Sequence, residues 1–177
     1  EDTQGNYLST VYVTHKIATQ SWQASGGNRR KEALPHWCYS RGVKYDDGLY
    51  LPTKKEPLID GISGATPHES FDIKLNPATA LKKFVVKIEI NHSTDFNEAF
   101  PKSAKDGEAN YSGGKEGSGQ PAIVYAANVD LSSGEKSFEA NLMGHSSPDG
   151  SSGEVNKDTS GLTTALHIVK RITVIIQ

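Results

Sequence analysis

Apolar positions recur with a period of two over much of the chain. In KKFVVKIEINHS, Phe84, Val86, Ile88 and Ile90 alternate with Lys87 and Glu89, which predicts a half-buried strand. QPAIVYAANVDL sets Ile123, Tyr125 and Ala127 on one side, and the turn-forming SSGE at 132–135 closes it. KSFEANLMGH follows and is expected to pair back antiparallel across that turn. NYLSTVYVTH alternates Leu8, Thr10 and Tyr12 against Ser9, Val11 and Val13. SFDIKL predicts a short strand, and RITVIIQ a closing one in which Ile172, Val174 and Ile176 share a face.

One segment leaves this pattern. In TSGLTTALHIVKR, Leu162, Ala165, Leu166 and Val169 recur at helical spacing, with Thr159 and Ser160 available as caps. A continuous strand over 162–177 would exceed the usual length of roughly 3–10 residues. A short helix feeding the last strand is therefore predicted. A further helical turn is expected within 29–38, with Pro35 keeping it from growing. The stretches 101–120 and 144–161 are long, polar and glycine-bearing, as functional or mobile loops are. Short strands, turn clusters and little helix make an all-β chain: one antiparallel, immunoglobulin-like β-sandwich domain over 1–177. EDTQGN reads as a hairpin turn whose first arm is short, so an unpaired edge there would invite a strand donor.

Charge and cysteine count narrow the chemistry. A formal net charge of -2 leaves no broad basic footprint for nucleic acid. No apolar run reaches the ~20 residues of a membrane-spanning helix, and no basic-then-apolar leader opens the chain. The single cysteine, Cys38, excludes an internal disulfide and a thiolate cluster, and between aromatic neighbours it reads as a small buried hydrophobe. The six histidines form no His-x-x-x-His pair. Asp149, Glu154, Asn156 and Asp158 offer oxygens without EF-hand spacing, so they read as a solvated acidic loop. Ser146 beside His145 lacks an orienting acid, and no Gly-x-Ser-x-Gly elbow occurs, which argues against a hydrolase. Arg29, Arg30 and Lys31 form a small basic cluster suited to a phosphate or an acidic partner. Two sequons, at Asn91 and Asn110, are also present.

The stretch LIDGISGATPHESF, residues 58–71, carries the sharpest candidate chemistry. Gly64 and Ala65 remove bulk and let backbone N–H groups approach a phosphate, while Asp60 and Ser63 can hold the loop by local hydrogen bonds. Thr66 would then present its hydroxyl, with His68 two residues on. Asp-Gly, Ser-Gly and Thr-Pro are equally ordinary turn dipeptides, so a purely structural turn is the competing reading.

Over RRKEALPHW, LIDGISGATP, SGQPAIVYAANVDL and GLTTALHIVKRITV, the chain resembles a bacterial family of periplasmic proteins, domain of unknown function 2271. That resemblance runs nearly end to end. It implies a periplasmic or extracellular β-sandwich with one more strand ahead of the position of Glu1, and it implies no established reaction. Within it, Asp60-Gly61-Ile62-Ser63-Gly64-Ala65-Thr66 is similar to the attachment motif of covalently flavinylated FMN-binding domains, although Pro67 and the expected sandwich depart from those domains. This second resemblance implies FMN joined through its phosphate to Thr66 by a flavin transferase, and a membrane redox partner. Trp37, with Trp22, Tyr39, Tyr45 and Tyr50, would offer stacking surfaces for the flavin. The two functional readings are thus an extracytoplasmic electron carrier and a non-catalytic binding or structural module, neither of them a turnover enzyme.

Overall fold

A computed structural model describes residues 1–22, 29–58, 61–74 and 81–177. The strongest alternation in the sequence produces the central sheet. Strand β3 (Lys83–Ile90) pairs antiparallel with β4 (Ile123–Asp130), Phe84 facing Val129 and Ile88 facing Tyr125. On the far side of β4 lies β6 (Asn141–His145), also antiparallel, with the register shifting between Val124 and Tyr125. The turn at 132–135 forms as expected, built on Asp130, whose carboxylate accepts the N–H and Oγ–H of Ser132.

KSFEANLMGH does not return as one strand. Its first part, β5 (Ser137–Glu139), turns away and pairs with β7 (Thr173–Ile175), and only β6 returns to β4. Packing explains the split. Phe138 and Ala140 join Ala127 and Val129 in a core closed by Phe84, Val86, Ile88, Ile172, Val174 and Ile176. The β5–β7 ribbon thereby covers the apolar face of the three-stranded sheet. The fold is sheet-rich with few helices, and its sheets are not closed.

Elsewhere the expected elements shorten or change type. Of NYLSTVYVTH only β1 (Tyr12–Thr14) is strand; His15–Thr19 forms helix α1, ending at Gln20 in a left-handed conformation. Ile17 and Ala18 bury their side chains with Val13 and Ala33, a demand that overrides the β propensity of the preceding residues. Helix α2 (Pro35–Ser40) corrects the role given to Pro35, which opens the helix at its first turn, where the missing N–H costs nothing. The helix before the last strand is a single 3-10 turn, Thr164–His167, without a side-chain cap from Thr159 or Ser160. Its position is fixed by Gln120, whose Oε1 accepts the Thr163 N–H at 2.6 Å and whose Nε2 donates to Asp95 and Thr164. Residues 70–74 of SFDIKL are not strand, and Leu75 lies outside the described residues.

The long loops are anchored at a few buried positions. Ser112, Ser118, Gln120 and Ser146 are all buried. The opening residues form the expected turn: Asp2 accepts the N–H groups of Gln4 and Asn6, and Glu1 exchanges both backbone hydrogen bonds with Val85 on the outer edge of β3. The segment after β6 folds back against it, with His145 and Asn156 exchanging backbone bonds of 2.9 and 2.8 Å. Gly144 permits that approach. Its φ is +143°, and a Cβ there would overlap the Asn156 carbonyl oxygen. Gly144→Ala is expected to destabilise the protein by about 2 kcal/mol through this backbone clash, read as a lowered urea midpoint at unchanged m-value.

Candidate functional site

Strand β2 (Ile62–Gly64) carries the GISGAT motif and runs parallel to β1, with Tyr12 opposite Ile62 and Thr14 opposite Gly64. Small residues are required here by close approach to β1. A Cβ on Gly61 would stand 2.8 Å from Thr10 Cγ2, and one on Gly64 3.0 Å from Tyr12 Oη. The Tyr12 hydroxyl donates to the Ala65 carbonyl and so pins the end of the strand. Thr66 follows this anchor, exposed and hydrogen-bonded to none of the described residues. Its hydroxyl is therefore accessible from solvent, on a loop held from behind.

The neighbouring candidates divide. Ser63 lies in β2 with its side chain exposed and without a hydrogen bond to the described residues. Strand pairing, rather than its hydroxyl, shapes the loop. Asp60 lies outside the described residues. His68 is exposed and in no described contact.

Trp37 does come close in space, but not as a free ring. Its Nε1–H donates to Thr10 Oγ1 at 2.9 Å, the same threonine that packs on Gly61. Its ring lies against the Val13–Ala33 core, with the Arg41 guanidinium 5.0 Å from the centroid. The remaining aromatic candidates are also engaged. Tyr39 and Tyr50 stack on each other at 4.3 Å, Arg29 lies over Tyr45, and Arg30 and Lys16 lie over Trp22. The aromatic surface that does flank the motif is a pair absent from the expected set, Tyr12 and Phe71, with centroids 5.8 Å apart. Phe71 is 56% exposed and Ile62 57% exposed. Both are surface apolar residues beside the anchored loop, where burial by a flat ring would be favourable.

The remaining sequence candidates resolve into structural roles. Arg29 pairs with Asp47 and Arg30 with Glu32, so the basic cluster meets acids. Asn91 donates to Ser118 Oγ and Asn110 to the Ala99 carbonyl, so both sequon amides are already engaged. Asp149, Asn156 and Asp158 accept the N–H groups of Ser151, Asp158 and Ser160 in local turns, and no cluster of metal-ligating side chains forms among the described residues. Cys38 is buried and its thiol is pushed up by that burial, as suits a packing residue.

Ser146 has an acid partner that sequence reasoning did not supply. Its Oγ–H donates to Glu89, whose carboxylate also accepts the Trp37 N–H at 2.7 Å and the His36 N–H at 3.1 Å. Glu89 thus caps helix α2 from strand β3. Burial pushes its carboxyl up to about 7, against the opposing pull of those three donors. His36 donates Nδ1–H to the Gly153 carbonyl, leaving Nε2 buried without a partner, and burial lowers its pKa. His145 turns its Nδ1 to the Ser146 carbonyl, not to the Ser146 hydroxyl, so no base-to-nucleophile pair forms.

No family model matches the chain, and no curated protein or solved structure matches it either. The resemblances described above rest on the quoted residues alone. No helix of the described residues is long and apolar enough to cross a membrane.

Proposed function

We propose that this protein is an extracytoplasmic electron carrier, periplasmic or extracellular, bearing FMN esterified through its phosphate to Thr66. The observation that supports the reading is the exposed Thr66 hydroxyl, presented just beyond the Tyr12–Ala65 anchor, with the half-buried Tyr12 ring packed on the exposed Phe71 nearby. A transferase needs an acceptor hydroxyl it can reach. A tethered isoalloxazine needs an apolar surface to lie on, and Tyr12, Phe71 and Ile62 suit that role better than Trp37. The flavin would supply the redox chemistry, and the protein its placement and access to a membrane donor. We further propose that the β3–β4–β6 sheet and the β5–β7 ribbon, packed over one apolar core, are the two layers of an immunoglobulin-like sandwich.

The test is the intact mass of protein isolated from its host, followed by sequencing of the peptide that contains Thr66. A mass gain equal to FMN less one water, localised to Thr66, is the expected result. Thr66→Ala is expected to abolish the modification while leaving the thermal midpoint nearly unchanged, because the side chain is exposed and hydrogen-bonded to none of the described residues. An unmodified Thr66 from cells with an active flavin transferase would instead favour a non-catalytic binding module.

A further inference from the structure

A concavity lined by none of the Thr66 motif lies among the loops. It is a groove of about 620 Å³, bounded by residues of the 144–161 segment and floored by Phe100, Val155 and Leu162. Its volume falls in the range of roughly 300–1,000 Å³ that small-molecule sites occupy. Two carboxylates line it, Glu154 and Asp158, and no lysine or arginine does. Neither forms an ion pair among the described residues. Asp158 spends Oδ1 on the Ser160 N–H at 3.0 Å, an interaction that holds its carboxyl below the usual range and keeps it charged.

The second, independent feature is His145. It is 5% exposed, and its backbone is fixed by the exchange of hydrogen bonds with Asn156. Its Nδ1 meets the Ser146 carbonyl at 2.8 Å, so Nδ1 is the donor, and in the imidazole form of the ring the other nitrogen, Nε2, is an acceptor. That nitrogen makes no hydrogen bond to the described residues and is not sealed from solvent. His145 lines the groove, which leaves Nε2 available to an occupant. The Phe100 ring stands edge-on to His145 at 6.3 Å and completes an aromatic wall.

An acceptor nitrogen held in a fixed tautomer, two unpaired carboxylates and an apolar floor select for one chemistry. An anion would meet two like charges. A metal ion would need three ligating side chains within reach of one another, which the described residues do not provide. An N–H donor carrying positive charge on an apolar stem satisfies every group. We propose that this groove binds a small organic ammonium, with Glu154 and Asp158 facing the charge and His145 Nε2 accepting one of its N–H bonds.

The experiment uses the whole ¹⁵N-labelled chain and follows the His145 ring nitrogens by NMR during titration with phenethylammonium chloride. Phenethyl alcohol and sodium phenylacetate serve as neutral and anionic counterparts at matched ionic strength. Saturable movement of the His145 signals with the ammonium, and at least about tenfold weaker responses to the other two, is expected. Asp158→Asn keeps the oxygen that accepts the Ser160 N–H, and Glu154→Gln keeps the side-chain length. Each is expected to weaken binding several-fold and the pair together about tenfold, with the backbone spectrum unchanged. An equal response to the alcohol, the absence of saturation, or full affinity in the folded Glu154→Gln variant would each overturn the proposal.

Discussion

Glu89→Ala is expected to lower the stability of the protein by about 3–4 kcal/mol. Three donors converge on this carboxylate: the Ser146 hydroxyl and the first free backbone N–H groups of α2, at His36 and Trp37. Alanine would strand all three, and the helix start would lose the carboxylate that caps it, since Leu34 provides no side-chain cap. Glu89→Gln keeps an acceptor oxygen but turns an NH₂ toward a donor, so an intermediate loss is expected. A chemical-denaturation series over the three proteins orders them, and equal midpoints would contradict the capping role.

The same group gives the protein a pH signature whose sign is fixed. The Glu89 carboxyl is raised from 4.5 to about 7 in the folded state, so between those values the native protein holds a proton that the unfolded chain has lost. Its contribution to stability is full below about pH 4.5 and declines as pH rises to about 7, by roughly 3 kcal/mol in all. His36 acts in the opposite sense. Its pKa is lowered, so acidification below 6.5 protonates the unfolded chain first and costs stability. The wild-type curve therefore mixes two opposed slopes. The difference between wild type and Glu89→Gln isolates the carboxylate, and it should narrow as pH rises from 5 to 8. A difference independent of pH would show that Glu89 is not held protonated in the fold.

Glu89 also marks the limit of what the alternation along the chain can reveal. The period of two correctly placed Phe84, Val86 and Ile88 on the buried face of β3, which assigns Glu89 to the opposite, polar face. That assignment is right, but helix α2 comes to rest on the polar face at the end of the strand. The approach is a tertiary event with no local signature, and Pro35, expected to limit the helical turn within 29–38, instead opens the helix responsible. The Ser146–Glu89 contact spans 57 residues of sequence and was illegible for the same reason. The exposure of Thr66, by contrast, was legible because it follows from local turn residues, although the strand pairing that holds the loop was not. Small residues, a turn and a following proline favour a surface position for the hydroxyl. Its aromatic surroundings were not legible. Sequence neighbours suggested Trp37, whereas parallel pairing of β1 with β2 brought Tyr12 from some fifty residues away, 53 positions before Ala65.

Arg30→Ala is expected to be as damaging as any single change in the chain, costing about 3–5 kcal/mol. Arg30 and Glu32 are 5% and 4% exposed, and Arg30 Nε donates to Glu32 Oε1 at 2.7 Å. The rest of the guanidinium is also committed: to Ser93 Oγ at 2.7 Å, to Ser118 Oγ at 3.3 Å, and to the Trp22 ring at 4.6 Å from its centroid. Removing the arginine leaves a carboxylate without its cation in a space so tight that a Cβ on Gly113 would stand 2.6 Å from it. The loss would come chiefly from the stranded Glu32 charge, since a buried pair repays little more than its own desolvation. That reasoning fixes the outcome of a double-mutant cycle. Arg30→Met combined with Glu32→Gln removes both charges and should recover at least half of the loss seen with Arg30→Met alone, measured as unfolding free energy. If the two losses simply add, the carboxylate was not the source of the cost. The bonds from Arg30 to Ser93 and Ser118, which tie the 29–33 segment to the two loops beside the sheet, would then carry the stability instead.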